Sequence, residues 1–174
     1  LLFGLNTTVS SLIVSNLEGP LGDVRVRKAL LMALDRENMN IAARSGIGEI
    51  TDVQTTESVW SGASDAARTT AFEDIEHYEF NIEEAKKLIK EAGVEGEKIV
   101  YASAPLDQSF TVNSQAVVAA AKAIGLDAEI KTLTPSAYTT LFSDPSAREG
   151  IDLFQTEWYL SAPDALEMYS VLRT

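Results

Sequence analysis

The chain has 174 residues, of which 45% are hydrophobic; at about 100–200 residues per domain this is one domain or one lobe of something larger, with enough apolar content for a packed core. Fourteen basic residues stand against 26 acidic ones, and the resulting net charge of −12 repels phosphate backbones, so nucleic acid is excluded as a natural partner. With no cysteine there are no disulfides, thiol nucleophiles, iron–sulfur clusters or thiolate zinc sites, and no uncharged run of about 18 apolar residues is present to span a bilayer.

The opening segment LLFGLNTTVSSLIVSN has no basic stretch before its apolar part and does not read as a signal peptide. A chain that opens on Leu1 in mid-strand is expected to be a piece of a longer protein. The run TTVSSLIVS at 7–15 predicts a strand, stopped by Asn16 and the turn LEGPLG. Asp23 then caps a helix in which Val26, Leu30, Ala33 and Leu34 share one face, and Asp35 opens a second, short helix that ends at Gly46. Residues 47–80 carry little periodicity and predict a long irregular excursion. Asn81 caps IEEAKKLIKEAG, with Glu83 and Glu84 in the positive first turn and Gly93 as the stop.

Beyond that helix the pattern alternates. KIVYAS predicts a strand, SFTVNSQAVVAAAKAIG a helix, LDAEIKTLT a strand, SAYTTLFSD a helix entered at Pro135, IDLFQTEWY a strand, and DALEMYSVL a helix after Pro163, with Asp164 as its cap. Strands joined by helical crossovers run parallel and need helices on both faces, so the fold class is α/β, with an open, mostly parallel sheet.

Signals for catalysis are thin. The phosphate-binding glycine motifs and the nucleophile elbow are absent, and SGIGEI follows a helix where a nucleotide loop would precede one. The single histidine, His77, lies in the acidic run FEDIEHYEF, whose spacing does not force ligands onto one face, and a pair such as Asp152 with Glu157 has no specificity among so many acids. No catalytic residue, metal ligand or cofactor is therefore assigned; a carboxylate-dependent α/β enzyme domain, metal-assisted around His77, is the alternative reading, and an acidic protein–protein interaction domain, suggested by the net charge, is a third. One strand does stand out. IDLFQTEWYLSAPD carries polar and aromatic residues toward its carboxyl end, where open α/β sheets bind ligands, which places Trp158, Tyr159 and Ser161 where a site belongs.

Four spaced blocks carry a resemblance that covers nearly the whole chain: Asn16 followed by PLGDVRVRKALLMALDRE at 20–37; NIEEAKKLIKEAG at 81–93; AIGLDAEIK at 123–131; and Tyr138 with GIDLFQTEWYLSAPD at 150–164. This series resembles the large solute-binding proteins of bacterial ABC importers, family 5, of the oligopeptide, dipeptide and nickel type. The resemblance implies a lobe of the type II periplasmic-binding-protein kind spanning 1–174, one half of a clamshell whose N-terminal lobe is missing from this sequence. It further implies non-catalytic, extracytoplasmic capture of a small solute such as a peptide and delivery to the permease subunits of an ABC importer, from the periplasm or as a cell-surface lipoprotein. The family's ligand-lining positions match Tyr138, Gln155, Trp158, Tyr159 and Ser161. Arg25 and Arg27 read as partners in ion pairs that stabilise the lobe. Peptide-binding members carry an aspartate three residues after the tryptophan, and Ser161 stands there instead, a neutral hydroxyl that cannot replace a charge-assisted bond to an ammonium group.

Overall fold

A computed structural model describes residues 8–55, 57–60, 62–159 and 167. Among them are four strands and six helices in the order β1 (Val9–Val14), α1 (Val24–Met32), α2 (Arg36–Arg44), α3 (Asp65–Glu73), α4 (Ile82–Ala92), β2 (Lys98–Ser103), α5 (Gln108–Ala123), β3 (Asp127–Thr132), α6 (Pro135–Ser143) and β4 (Leu153–Trp158). The helix expected after Pro163, with Asp164 as its cap, lies outside the described residues. The chain divides into two compact units. The larger comprises Leu12–Gly48 and Tyr78–Gln155; the smaller holds the described residues of 1–11, 49–77 and 156–174.

The sheet has the strand order β1-β4-β2-β3. β2 runs parallel to both β3 and β4, as its helical connections require. Ser15 N–H donates to Asp152 O (2.8 Å) and Ser10 Oγ to Glu157 Oε1 (3.2 Å), a falling register that makes β1 an antiparallel edge strand. Side chains of β2 and β4 alternate between two cores. Tyr101 and Leu153 join a large cluster with Val26, Leu30, Ile89 and Val117, whereas Ala102 and Phe154 join a smaller one with Phe110, Tyr138 and Leu141. This two-sided burial is what an α/β sheet demands of its central strands.

The helices of the larger unit begin and end where their caps dictate. Asp23 accepts from Arg25 N–H (2.8 Å) at the start of α1, Asn81 from Glu84 N–H (3.0 Å) at the start of α4, and Asp107 from Ser109 N–H (2.6 Å) at the start of α5. The α4 helix stops at Gly93, whose φ of 72° is the left-handed conformation a side chain would resist. Arg25 Nη1 donates to Glu91 O at the end of α4 (2.8 Å), while Asn81 N–H donates to Met32 O at the end of α1 (2.8 Å). These two bonds run α1 antiparallel to α4 and satisfy carbonyls that a helix end leaves open.

Two expectations need adjustment. The excursion at 47–80 contains a short turn, Glu57–Trp60, and the nine-residue helix α3, capped by Ser64. No residue of α3 is buried, so it has no apolar stripe for a periodicity reading to find. The α2 helix ends with Ser45 already left-handed (φ 56°), one residue before Gly46. The glycines of SGIGEI have a local use: the Asn40 side-chain amide donates to Gly48 O (2.8 Å) and accepts from Gly48 N–H (3.1 Å), and a Cβ on Gly48 would lie 2.6 Å from Asn40 Oδ1.

Candidate functional site

The elements that build the carboxyl end of the sheet are β4 and the two helices flanking it in the larger unit, α5 and α6. Strand β4 enters through Asp152, a buried residue that ties three strands together. Its carboxylate accepts from Val100 N–H (2.7 Å) and from Asn16 Nδ2 (2.8 Å), and its backbone N–H donates to Val100 O (2.9 Å). Asn16 in turn accepts from Glu18 and Gly19 N–H groups (3.1 and 3.2 Å), closing the turn after β1. The Asp152 carboxylate, to which the sequence assigns no catalytic role, is consumed by hydrogen bonds within the framework.

The sequence-selected residues fall into two groups. Gln155 and Tyr138 are each only 1% exposed. Tyr138 packs edge-on against Phe110, Phe142 and Phe154, with ring centroids 5.7–6.1 Å apart, and its hydroxyl donates to Gln155 O (2.6 Å). Burial pushes the phenol pKa of Tyr138 well up, so the group stays a protonated donor at any physiological pH. Gln155 Oε1 accepts from Asn113 Nδ2 of α5 (2.9 Å). The apolar packing of Tyr138 and the hydrogen bonds at Gln155 turn both side chains inward. Trp158 is half-buried and Tyr159 is 75% exposed, so the aromatic end of β4 is open to contact. Ser161 lies outside the described residues.

Asn113 was invisible to motif reading, although a signal existed: it stands three residues after Phe110 and four before Val117, an amide set into the apolar face of an alanine-rich helix. Tyr101 is a second hidden feature. Its hydroxyl is buried and has no hydrogen-bond partner among the described residues, and desolvation pushes its pKa up. Elsewhere, Arg25 pairs with Asp23 (2.5 Å) as expected, and the Arg25 guanidinium holds the Asp23 carboxyl down at about 2. Arg27 binds the carbonyls of Leu21 and Gly22 (2.8 and 3.0 Å), fastening the turn before α1. His77 Nδ1 lies 2.8 Å from Asp52 Oδ2 in the smaller unit, and among the described residues no group of three or more His, Asp or Glu side chains converges as a metal site would require.

In open α/β folds, the carboxyl end of a parallel strand, where the aromatics of β4 stand, is where ligands bind. The profile of the bacterial extracellular solute-binding proteins, family 5 Middle, matches residues 2–174, and the chain belongs to that family. It is 34% identical over 138 residues to a probable peptide ABC transporter periplasmic-binding protein, y4tO, of Sinorhizobium fredii, an alignment that takes in 78% of this chain and 24% of that protein. Among solved structures, the ABC transporter substrate-binding protein CtaP of Listeria monocytogenes superposes with a TM-score of 0.77 at 22% identity, covering 97% of this chain and 33% of that one. A dipeptide-binding protein of Pseudoalteromonas sp. SM9913, in complex with Met-Leu, gives 0.77 at 21% identity over 95% and 31%. The chain therefore spans about a quarter to a third of the length of these relatives, and the structural likenesses fix the fold as that of type II periplasmic binding proteins.

Proposed function

We propose that residues 1–174 form one lobe of a two-lobed, non-catalytic receptor that captures a small solute and passes it to the permease subunits of an ABC importer outside the cytoplasm. The observation that carries the reading is the end of β4, where half-buried Trp158 and exposed Tyr159 stand at the carboxyl edge of a parallel strand whose remaining side chains are committed to the framework. Family membership supports the class, and the peptide named for the Sinorhizobium relative and for the Pseudoalteromonas structure makes peptides the first solutes to test. The aromatics supply stacking and apolar contact; the opposing wall comes from an N-terminal lobe.

Ser161 refines the proposal. A hydroxyl in place of a carboxylate forgoes the charge-assisted bond to a peptide ammonium, which is worth about 1.5–3 kcal/mol. We infer a solute held through its backbone or side chains, with its amino terminus uncommitted at this position. Isothermal calorimetry of the full-length protein against di- to pentapeptides, their N-acetylated forms and a panel of small sugars tests both parts. Saturable heats with at least one solute, little changed by N-acetylation and weakened about tenfold or more by Trp158→Ala, are expected. Silence across the panel would contradict receptor function, and loss of binding on acetylation would contradict the reading of Ser161.

A further inference from the structure

Charge is unevenly shared along the chain. The ranges 1–11, 49–77 and 156–174, whose described residues form the smaller unit, carry ten acidic side chains against two basic ones, whereas the larger unit carries sixteen against twelve. Most of the net charge of −12 therefore belongs to the unit that holds the carboxyl end of β4, and a field of that sign draws cations toward it. Within that end stands Glu157. Glutamate is a poor strand former, and a central strand of an α/β sheet normally reads as an aliphatic run, so packing does not account for a carboxylate here. Asp152, before the other end of β4, is buried and spends its carboxylate on Val100 N–H and Asn16 Nδ2. Glu157 is half-buried, and its Oε1 accepts from Ser10 Oγ of β1 in the same unit (3.2 Å). Such a bond fixes where a carboxylate stands without neutralising it.

We propose that Glu157 is a specificity-determining residue which selects solutes bearing a basic side chain, an ammonium or a guanidinium, at the end of β4. The inference rests on the receptor reading given above and adds to it the chemical class of the solute. A carboxylate takes a basic group through charge-assisted hydrogen bonds, and the face of an adjoining indole or phenol attracts the same cation. Both rings are at hand, since half-buried Trp158 and exposed Tyr159 follow Glu157 directly in the chain. Successive strand residues point to opposite faces, so a solute meets Glu157 and Trp158 together by lying across the end of the strand. Ser161 leaves the amino terminus of a peptide uncommitted, which makes a side chain the cation that Glu157 reads.

The test uses full-length protein and calorimetry with peptides of two to five residues, each made with lysine, norleucine or glutamate at one position in turn. Norleucine keeps the length of lysine and removes its ammonium, and the termini are the same in every comparison. At one position or more the lysine peptide should bind about tenfold more tightly than its norleucine counterpart, the value of one charge-assisted bond, and the glutamate peptide should bind most weakly. Glu157→Gln, which removes the charge at nearly constant shape, should bring the lysine-to-norleucine ratio to within about twofold of unity. Should that variant fail to fold, Glu157→Thr, a good strand former without charge, carries the same comparison. Lysine and norleucine peptides that bind the wild type equally at every position, or a lysine preference that survives in the folded variant, would overturn the proposal and leave the receptor reading standing. Absence of saturable heat with every peptide and with the sugars of the wider panel would overturn the receptor reading and this inference with it.

Discussion

The two ends of β4 are secured by different means. At its amino end Asp152 engages β1 and β2 through its carboxylate and its backbone, so three strands share one buried acidic side chain. Beyond Phe154 the pairs with β2 stop, β1 remains alongside as its neighbour, and side chains of α5 and α6 bond Gln155. The first arrangement is redundant and stiff, with backbone and carboxylate tying the same neighbours. The second adds side-chain bonds from two helices to the pairing with β1.

The largest effect should come from the root. Asp152→Ala leaves the Val100 N–H and the Asn16 amide without their acceptor and should lower stability by about 3 kcal/mol, read as a reduced urea midpoint at unchanged slope. A loss below about 0.5 kcal/mol, the range of ordinary surface changes, would break the contrast between the two ends. Tyr138→Phe at the tip should cost about 1.5 kcal/mol, since a buried carbonyl loses one donor while the aromatic packing is kept; a cost equal to that of Asp152→Ala would make the ends equivalent. Tyr101→Phe should act in the opposite direction, raising stability by about 1 kcal/mol because it deletes a buried hydroxyl that has no partner among the described residues. A loss on that substitution, measured in the same urea titrations, would show that the hydroxyl has a partner in solution.

The smallest effect lies outside β4 and provides a control. Asp23 is depressed in the folded protein to about 2 by its bond to Arg25, below the carboxylate's unfolded value near 4. Its contribution is therefore present above pH 4 and is lost as the pH falls from about 4 to 2. Thermal melts of Asp23→Asn should show a shallower decline across that window than the wild type, and at neutral pH the variant should keep the root and tip effects unchanged. Parallel declines in the two proteins would remove Asp23 from the acid response.

How much of this was legible beforehand differs along the same strand. The helices α1, α4 and α5 and the strand β2 could be read from caps and period because their local sequence and their packing agree: Asp23, Asn81 and Gly93 mark boundaries that the buried faces of Val26, Leu30, Ala85 and Ile89 then confirm. The α3 helix could not be read, since nothing in it is buried. Within the site, Trp158 and Tyr159 were picked out by their place at a strand's carboxyl end, and the structure leaves them accessible. Tyr138 and Gln155 were picked out by family resemblance, and the structure turns both inward. Residue type alone does not separate an exposed tyrosine from a buried one; that follows from tertiary packing. The pairs Asn16 with Asp152 and Asn113 with Gln155 join positions 136 and 42 residues apart, beyond the reach of any local pattern.

The most direct test is a titration of full-length, 15N-tryptophan-labelled protein with the peptides and small solutes of the calorimetric panel, following both indole N–H signals. A saturable shift confined to Trp158, at the same solute concentration that saturates the calorimetric heat, is expected. Saturable heat with Trp158 unmoved would place the solute away from the end of β4 and contradict the assignment of this site.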